Sequence, residues 1–341
     1  MYNMRTIILV CFLLSSFIFR ASTLNPKEAM DPVFIQSNST YARKLSKKVD
    51  VTSRIDLPSN DSCSSMVREH FSDVLVVIHY NYPAHMKQIL FHFKLWEKVF
   101  PNMVLFGPWD ESDIKTLSEN SLPVFKSPDD VHGYVSQRTF LHALRLHNSS
   151  KYGGYLYIQD DLLVSTKNLV SLDKNKLWLS EGLTKYEVAD WNSRKHDWMW
   201  FNSPQHGIDQ MQKILDSDVN IYNAMSKCEG NAHTWFYCSA DFFYLPSKML
   251  PSFMAIIEVF SFYNLFFEIA IPTWMTCFSG GRHEMVSLSL CTSWDPRYRN
   301  DIRKFGPYCP PGTTIVHPVK YSQPAGMEFA KDFLEKNAVT C

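Results

Sequence analysis

Two adjacent carboxylates, Asp160 and Asp161, close the run Gly154-Tyr155-Leu156-Tyr157-Ile158-Gln159. Hard oxygen donors of this kind suit Mg²⁺ or Mn²⁺ carrying a substrate phosphate. Much later, His317-Pro318-Val319-Lys320 offers an imidazole and an ammonium, and Lys320 can neutralise a diphosphate as a point charge. Glu268 interrupts the apolar stretch Phe266 to Pro272, where a carboxylate is costly unless it is paired or used. Asp241 follows Ser239-Ala240 at the head of another apolar run and could bind a sugar. Each has a plainer alternative: an acidic turn for Asp160-Asp161, a turn cap for Asp241, an ion pair with an Arg such as Arg282 for Glu268, and a surface position after a strand for His317 and Lys320.

An alternation of strand and helix has to position these groups. Val74 to Ile78 is an unbroken aliphatic run, the pattern of a first central parallel strand, and His79-Tyr80-Asn81 follows it. Pro83 then opens a helix carrying Ile89, Leu90, Phe93, Leu95, Trp96 and Phe100, and Met103 to Phe106 reads as a second strand ended by Gly107-Pro108. Ser136 to His147 reads as a helix leading into the acid-bearing strand, which places Asp160-Asp161 at the carboxyl edge where open α/β sheets bind ligands. Beyond Val164 the sequence is rich in loops and Trp, including Trp191, Trp198, Trp200 and Trp235, before Ala240 to Pro246 returns to strand character. Pro251 to Phe267 is apolar almost throughout, but Glu258, Glu268 and its aromatics favour a buried helix over a membrane span.

The chain of 341 residues balances 34 basic against 34 acidic side chains, which gives no footprint for nucleic acid. No GxGxxG or GxxxxGK[ST] follows the first strand, and no GxSxG, HExxH or EF-hand loop is present, which counts against dehydrogenase, P-loop, hydrolase, zincin and calcium-sensor readings. Arg5 and Arg20 bracket the apolar run Thr6 to Phe19, read as an uncleaved signal anchor because Phe19 would occupy −3 for cleavage after Ala21. Cleavage would instead release a secreted protein. The sequons at Asn38, Asn60 and Asn148 agree with a lumenal body. Cysteines lacking a paired CxxC pattern indicate disulfides. Leaving out Cys11, their odd number implies a free thiol or an intermolecular bridge, with Cys63 or Cys341 the candidates and a disulfide-linked or non-covalent homodimer one consequence.

Anchor, stem, the strand-helix opening of Val74 to Phe106, the acid pair of Tyr157-Ile158-Gln159-Asp160-Asp161 and the late His317-Pro318-Val319-Lys320 resemble a GT-A fold glycosyltransferase of the Golgi type. The resemblance implies an α/β fold with a mixed, mostly parallel central sheet flanked by helices. It divides the chain into a cytosolic tail (1–5), signal anchor (6–20), lumenal stem (21–70), catalytic domain (71–325) and C-terminal tail helix (326–341), a single-pass type II arrangement in Golgi or endoplasmic reticulum membrane. It implies sugar transfer from a nucleotide donor, UDP in the first instance, to a glycan or glycoprotein hydroxyl, with Mn²⁺ or Mg²⁺ at the diphosphate. By the same resemblance Asp161 and His317 are the metal ligands, Asp160 contacts the sugar or ribose, Lys320 the diphosphate, and His79 and Tyr80 the base or ribose. Glu268 is the candidate catalytic base and Asp241 the second catalytic candidate. Gln159 stands where the family's first Asp is expected, which keeps a non-catalytic sugar-binding or scaffold protein on the same fold as the alternative.

Overall fold

The aliphatic residues from Val74 to Ile78 have no polar face to turn to water, and the fold gives them none: every position of their strand is buried. The computed structural model describes residues 61–81, 89–128, 133–189, 196–295, 298 and 301–337. The chain divides into a unit of residues 1–48, outside the described residues, and a unit of residues 49–341, to which everything below belongs. The expected tail and anchor, most of the expected stem, Pro83, Trp191, Asn38, Asn60, Cys11, Cys341 and the side chain of Cys63 likewise lie outside the described residues.

In chain order the elements begin with α1 (Asp61–His70), β1 (Val74–His79), α2 (Ile89–Glu97), β2 (Met103–Gly107), α3 (Glu111–Glu119) and β3 (Val124–Lys126). There follow α4 (Gln137–His147), β4 (Gly154–Gln159), β5 (Leu163–Val164), α5 (Thr166–Leu169), β6 (Leu177–Ser180) and β7 (Thr184–Glu187). The later half contains α6 (Ile208–Ser217), α7 (Val219–Glu229), β8 (Thr234–Tyr237), β9 (Phe242–Pro246), α8 (Leu250–Phe262) and α9 (Phe267–Cys277). Last come β10 (Met285–Leu288), β11 (Leu290–Thr292), α10 (Ile302–Phe305), β12 (Ile315–His317) and α11 (Pro324–Lys336).

Seven strands form the central sheet in the order β10-β6-β9-β4-β1-β2-β3. The pairings β1/β2, β1/β4, β2/β3 and β6/β10 are parallel, while β9 runs antiparallel to both β4 and β6. This is the mixed, mostly parallel α/β sheet flanked by helices that the sequence predicts. Alternate residues of β1 and β4 enter opposite cores. Leu75, Val77, Tyr155 and Tyr157 pack with α4, α8 and α9, and Val74, Val76, Ile78, Leu156 and Ile158 pack with α1, α2 and α11. Cover on both sides explains why these strands are continuously apolar rather than alternating.

A small second sheet, β11-β12-β5, abuts the carboxyl edge of the first through β5, and β7 pairs with β8 alone. The apolar stretch Pro251 to Phe267 is not one helix. It breaks between α8 and α9 at Asn264, whose φ of 58° no helix accommodates. No helix among the described residues is long and apolar enough to cross a membrane. Cys228–Cys277 and Cys291–Cys309 are disulfides, and the free thiol among the described residues is the buried Cys238.

Candidate functional site

Three strand ends bring the acids and bases together. β1 and β4 stop in register, His79 opposite Gln159, and the Asp160 N–H donates to the His79 carbonyl at 3.0 Å, so the acid pair begins where the sheet ends. β9 starts at that same edge running the other way: Ile158 pairs with Phe242, and the Gln159 N–H donates to the Asp241 carbonyl at 2.9 Å. β12 pairs with β5, Val316 opposite Leu163, and the Val319 N–H donates to the Asp161 carbonyl at 2.7 Å. His317 and Lys320 therefore arrive beside Asp161 from far along the chain.

The His317 ring lies between two carboxylates. Its Nε2 is 3.2 Å from Asp161 Oδ1, and its Nδ1 is 3.4 Å from Asp241 Oδ2, close enough for an ion pair but without hydrogen-bond alignment. Lys320 Nζ donates to Asp161 Oδ2 at 2.6 Å, and Ser239 Oγ donates to Asp241 Oδ2 at 2.8 Å. All but Lys320 and Ser239 are buried. Burial opposes charge on Asp161, yet Lys320 and His317 outweigh it and hold the carboxyl well below its ordinary range. Burial likewise works against a charged His317, while Asp161 and then Asp241 raise its pKa above the ordinary value.

The donor set of two carboxylates and one imidazole has the right chemistry for Mn²⁺, but its present arrangement does not fit a resident ion. Both oxygens of Asp161 are engaged by the protein's own nitrogens, and no group of three or more His, Cys, Asp or Glu among the described residues is disposed to hold a metal. A cation ligated by Asp161 has to displace Lys320 or turn His317.

Of the neighbours His79 and Tyr80, only Tyr80 faces the acids. His79 points into the other core, where Nδ1 lies 2.9 Å from Tyr157 Oη and Nε2 lies 3.4 Å from Ser127 Oγ and 3.3 Å from Thr139 Oγ1. Burial there lowers its pKa to about 3, so the ring is neutral. Gln159 also turns away, its Oε1 accepting from Asn81 Nδ2 at 2.7 Å. Tyr80 lines a cavity of about 10 Å³ with His92, Asp160, Asp161, Val319, Lys320 and Tyr321. That is room for about one water molecule or one ligand oxygen.

A directed chain of hydrogen bonds ends at this cavity. Trp96 Nε1 can only donate, and it does so to His92 Nε2 at 2.9 Å. In neutral His92 the proton therefore sits on Nδ1, which donates to Tyr80 Oη at 2.9 Å and leaves the Tyr80 hydroxyl proton free to point elsewhere. Tyr321 Oη is spent on the Leu162 carbonyl at 2.7 Å. Burial, then the charges of Asp160 and the nearby Tyr321, keep Tyr80 protonated far above its ordinary range. A second cavity, about 810 Å³, opens near Leu75, Phe100 and Met103 at the amino ends of β1 and β2, away from every one of these groups.

Glu268 is the second residue of α9 and half-buried. It is not the partner of Arg282, which pairs with Glu229 at 3.5 Å. Its surroundings follow from Pro272, which has no N–H to return to the carbonyl four residues earlier. The Glu268 carbonyl accepts instead from the Cys238 N–H at 3.3 Å, and Thr273 Oγ1 satisfies both backbone groups of Phe236. The otherwise unpaired edge of β8 is thereby bonded to α9. The Cys238 thiol sits between the two predicted catalytic acids: burial, then Glu268 and Asp241, push its pKa well above normal.

The structure thus gathers Asp160, Asp161, Asp241, His317, Lys320 and Tyr80, sets Glu268 beside Cys238, and removes His79. His92, Trp96, Tyr321 and Cys238 were missed from the sequence. His92 and Trp96 carried a readable sign, an imidazole and an indole four residues apart on an apolar helix.

No family model matches the chain. It is 20% identical over 205 residues to the probable glycosyltransferase STELLO1 of Arabidopsis thaliana, and 20% identical over 210 residues to the probable glycosyltransferase STELLO2 of the same plant. Each match covers 60% of this chain but only 24% and 25% of the respective relative, so the chain spans about a quarter of the length of the curated relatives it matches.

Proposed function

We propose that the chain transfers a sugar from a nucleoside diphosphate, UDP in the first instance, to a hydroxyl of a glycan or glycoprotein in the secretory lumen. The observation that carries this reading is the convergence of Asp161, Asp241, His317 and Lys320 at the carboxyl ends of the central strands. In the reaction an acceptor oxygen attacks the anomeric carbon, the bond from that carbon to the diphosphate breaks with its electron pair, and the acceptor proton passes to a carboxylate. Charge grows on the leaving phosphate, where the Lys320 ammonium supplies fixed positive charge and the His317 ring adds to it when protonated. Glu268 is the proposed base, with Asp241 holding the sugar. Were Mn²⁺ or Mg²⁺ to accompany the donor, Asp161 and His317 would hold it, and it would supply Lewis-acid stabilisation of the diphosphate. Attachment to Golgi or endoplasmic reticulum membrane through residues 6–20 belongs to the same proposal, as does a homodimer.

Titration of the intact chain with UDP, once with Mn²⁺ and once with EDTA, tests it together with UDP release from UDP-sugars. Lys320→Met is expected to weaken UDP binding at least about tenfold, a loss of about 1.4 kcal/mol. Asp161→Asn abolishes any Mn²⁺-dependent part, and Glu268→Gln stops transfer while UDP still binds. A folded protein that binds UDP under neither condition fits the second reading, a non-catalytic sugar-binding or scaffold protein. One feature favours that reading: Gln159, at the position where an acid is expected, is tied to Asn81 and faces away from the cluster.

A further inference from the structure

By resemblance, Asp161 and His317 are ligands of a divalent cation; in the folded chain they contact each other instead. His317 Nε2 lies 3.2 Å from Asp161 Oδ1, and Lys320 Nζ lies 2.6 Å from Oδ2, so each carboxylate oxygen already meets a nitrogen of the protein. Space is short as well. The cavity bordered by Asp160, Asp161 and Lys320 is about 10 Å³, room for about one water molecule, whereas Mg²⁺ keeps an octahedral shell that usually includes several waters. The ammonium that stands there is held by its own backbone. The Val319 N–H donates to the Asp161 carbonyl at 2.7 Å, and the Gln323 N–H donates to the Lys320 carbonyl at 2.9 Å. The same carbonyl oxygen lies so close to Gly326 that a Cβ there would come within 2.2 Å of it. Only 18% of the Lys320 side chain is exposed, so solvent screens its charge less than it would at an open surface.

We propose that Lys320 takes the place of the divalent cation, so that this site binds a nucleoside diphosphate without a metal. The proposal deepens the glycosyl-transfer reading and rests on it for the ligand, but its claim about the cation can be tested with the metal alone. An ammonium carries three N–H donors, of which the bond to Asp161 takes one. The others suit phosphate oxygens, which lysine meets as a point charge. A divalent ion cannot share Asp161 Oδ2 with this ammonium, because like charges repel most strongly where water is excluded. The two are therefore alternatives at one position. Lys320→Met removes the ammonium while Asp160 and Asp161 still border the same cavity, an arrangement of oxygen donors that favours a cation entering from solution.

The test uses the full chain, stripped of metal, as wild type, Lys320→Met and the double variant Asp161→Asn with Lys320→Met. Thermal unfolding with MnCl₂ alone reads cation binding, since a ligand that prefers the native state raises Tm. Mn²⁺ is expected to leave wild type unchanged, to raise the Tm of Lys320→Met, and to lose that effect in the double variant. UDP is expected to bind wild type equally well in EDTA and in Mn²⁺. In EDTA it should bind Lys320→Met about tenfold more weakly than wild type, and Mn²⁺ should restore most of the loss. Lys320→Gln repeats every reading if the Met variant does not fold. UDP binding to wild type that disappears in EDTA overturns the proposal. So does Mn²⁺ that stabilises wild type as much as the variant, or that stabilises neither. If UDP binds wild type under neither condition while Mn²⁺ stabilises only the Lys320 variant, the transferase reading falls and Lys320 is still the group that stands in the cation's place.

Discussion

Trp96 can only donate, and that restriction orients protons through His92 as far as the Tyr80 hydroxyl. Tyr80→Phe removes the acceptor of the His92 Nδ1–H and leaves a buried donor unmatched, which costs about 1–3 kcal/mol. Urea unfolding should show a loss in that range; no loss would mean that the His92 Nδ1–H finds another acceptor in the variant. His79 makes a different prediction. Its folded pKa, about 3, lies below the ordinary value of 6.5, so the unfolded chain binds more protons between these limits and stability falls as pH drops through that window. The slope attributable to His79 is about 1.4 kcal/mol per pH unit below about pH 6.5. Tm measured from pH 7 to 5 should fall less steeply in His79→Gln than in wild type. Parity could have separated these two residues from sequence alone, since neighbours on a strand face opposite sides and only one of a pair can meet the site.

At the scale of elements, the strands that end at the site were legible because both their faces are buried. β1, β2, β4 and β9 read as apolar runs, and the acids at their ends read as edge residues. Two things were not legible. The break between α8 and α9 leaves no gap in hydrophobicity, because a single Asn at positive φ makes the turn. The meeting of Asp241 and His317 depends on the long-range pairings of β9 and β12, which no local pattern encodes. One glycine ties an element directly to the site. A Cβ on Gly326, in the first turn of α11, would lie 2.2 Å from the Lys320 carbonyl oxygen. That contact is with backbone and cannot swing aside. Gly326→Ala should therefore cost about 1–3 kcal/mol as overpacking, and it should weaken UDP binding by moving Lys320. Thermal unfolding and titration of the same sample check both effects, and unchanged UDP affinity would uncouple α11 from the site.

For the whole molecule, the disulfides Cys228–Cys277 and Cys291–Cys309 and an exposed sequon point the same way. Asn148, the residue that caps the carboxyl end of α4, is exposed, so the folded domain presents an acceptor for glycosylation. Expressed in secretory cells, the protein should lose mass on treatment with an amide-cleaving glycosidase, and Asn148→Gln should remove one glycan's worth. An unchanged mass would argue against a lumenal domain. The junction of the two sheets at Asp161 also has a consequence for synthesis. Asp160 and Asp161 leave the ribosome long before Ile315–His317 and Lys320, and β5 has no partner until β12 exists. A growing chain thus carries its acids before their counter-charges, so the cluster stays incomplete until β12 and Lys320 have been made.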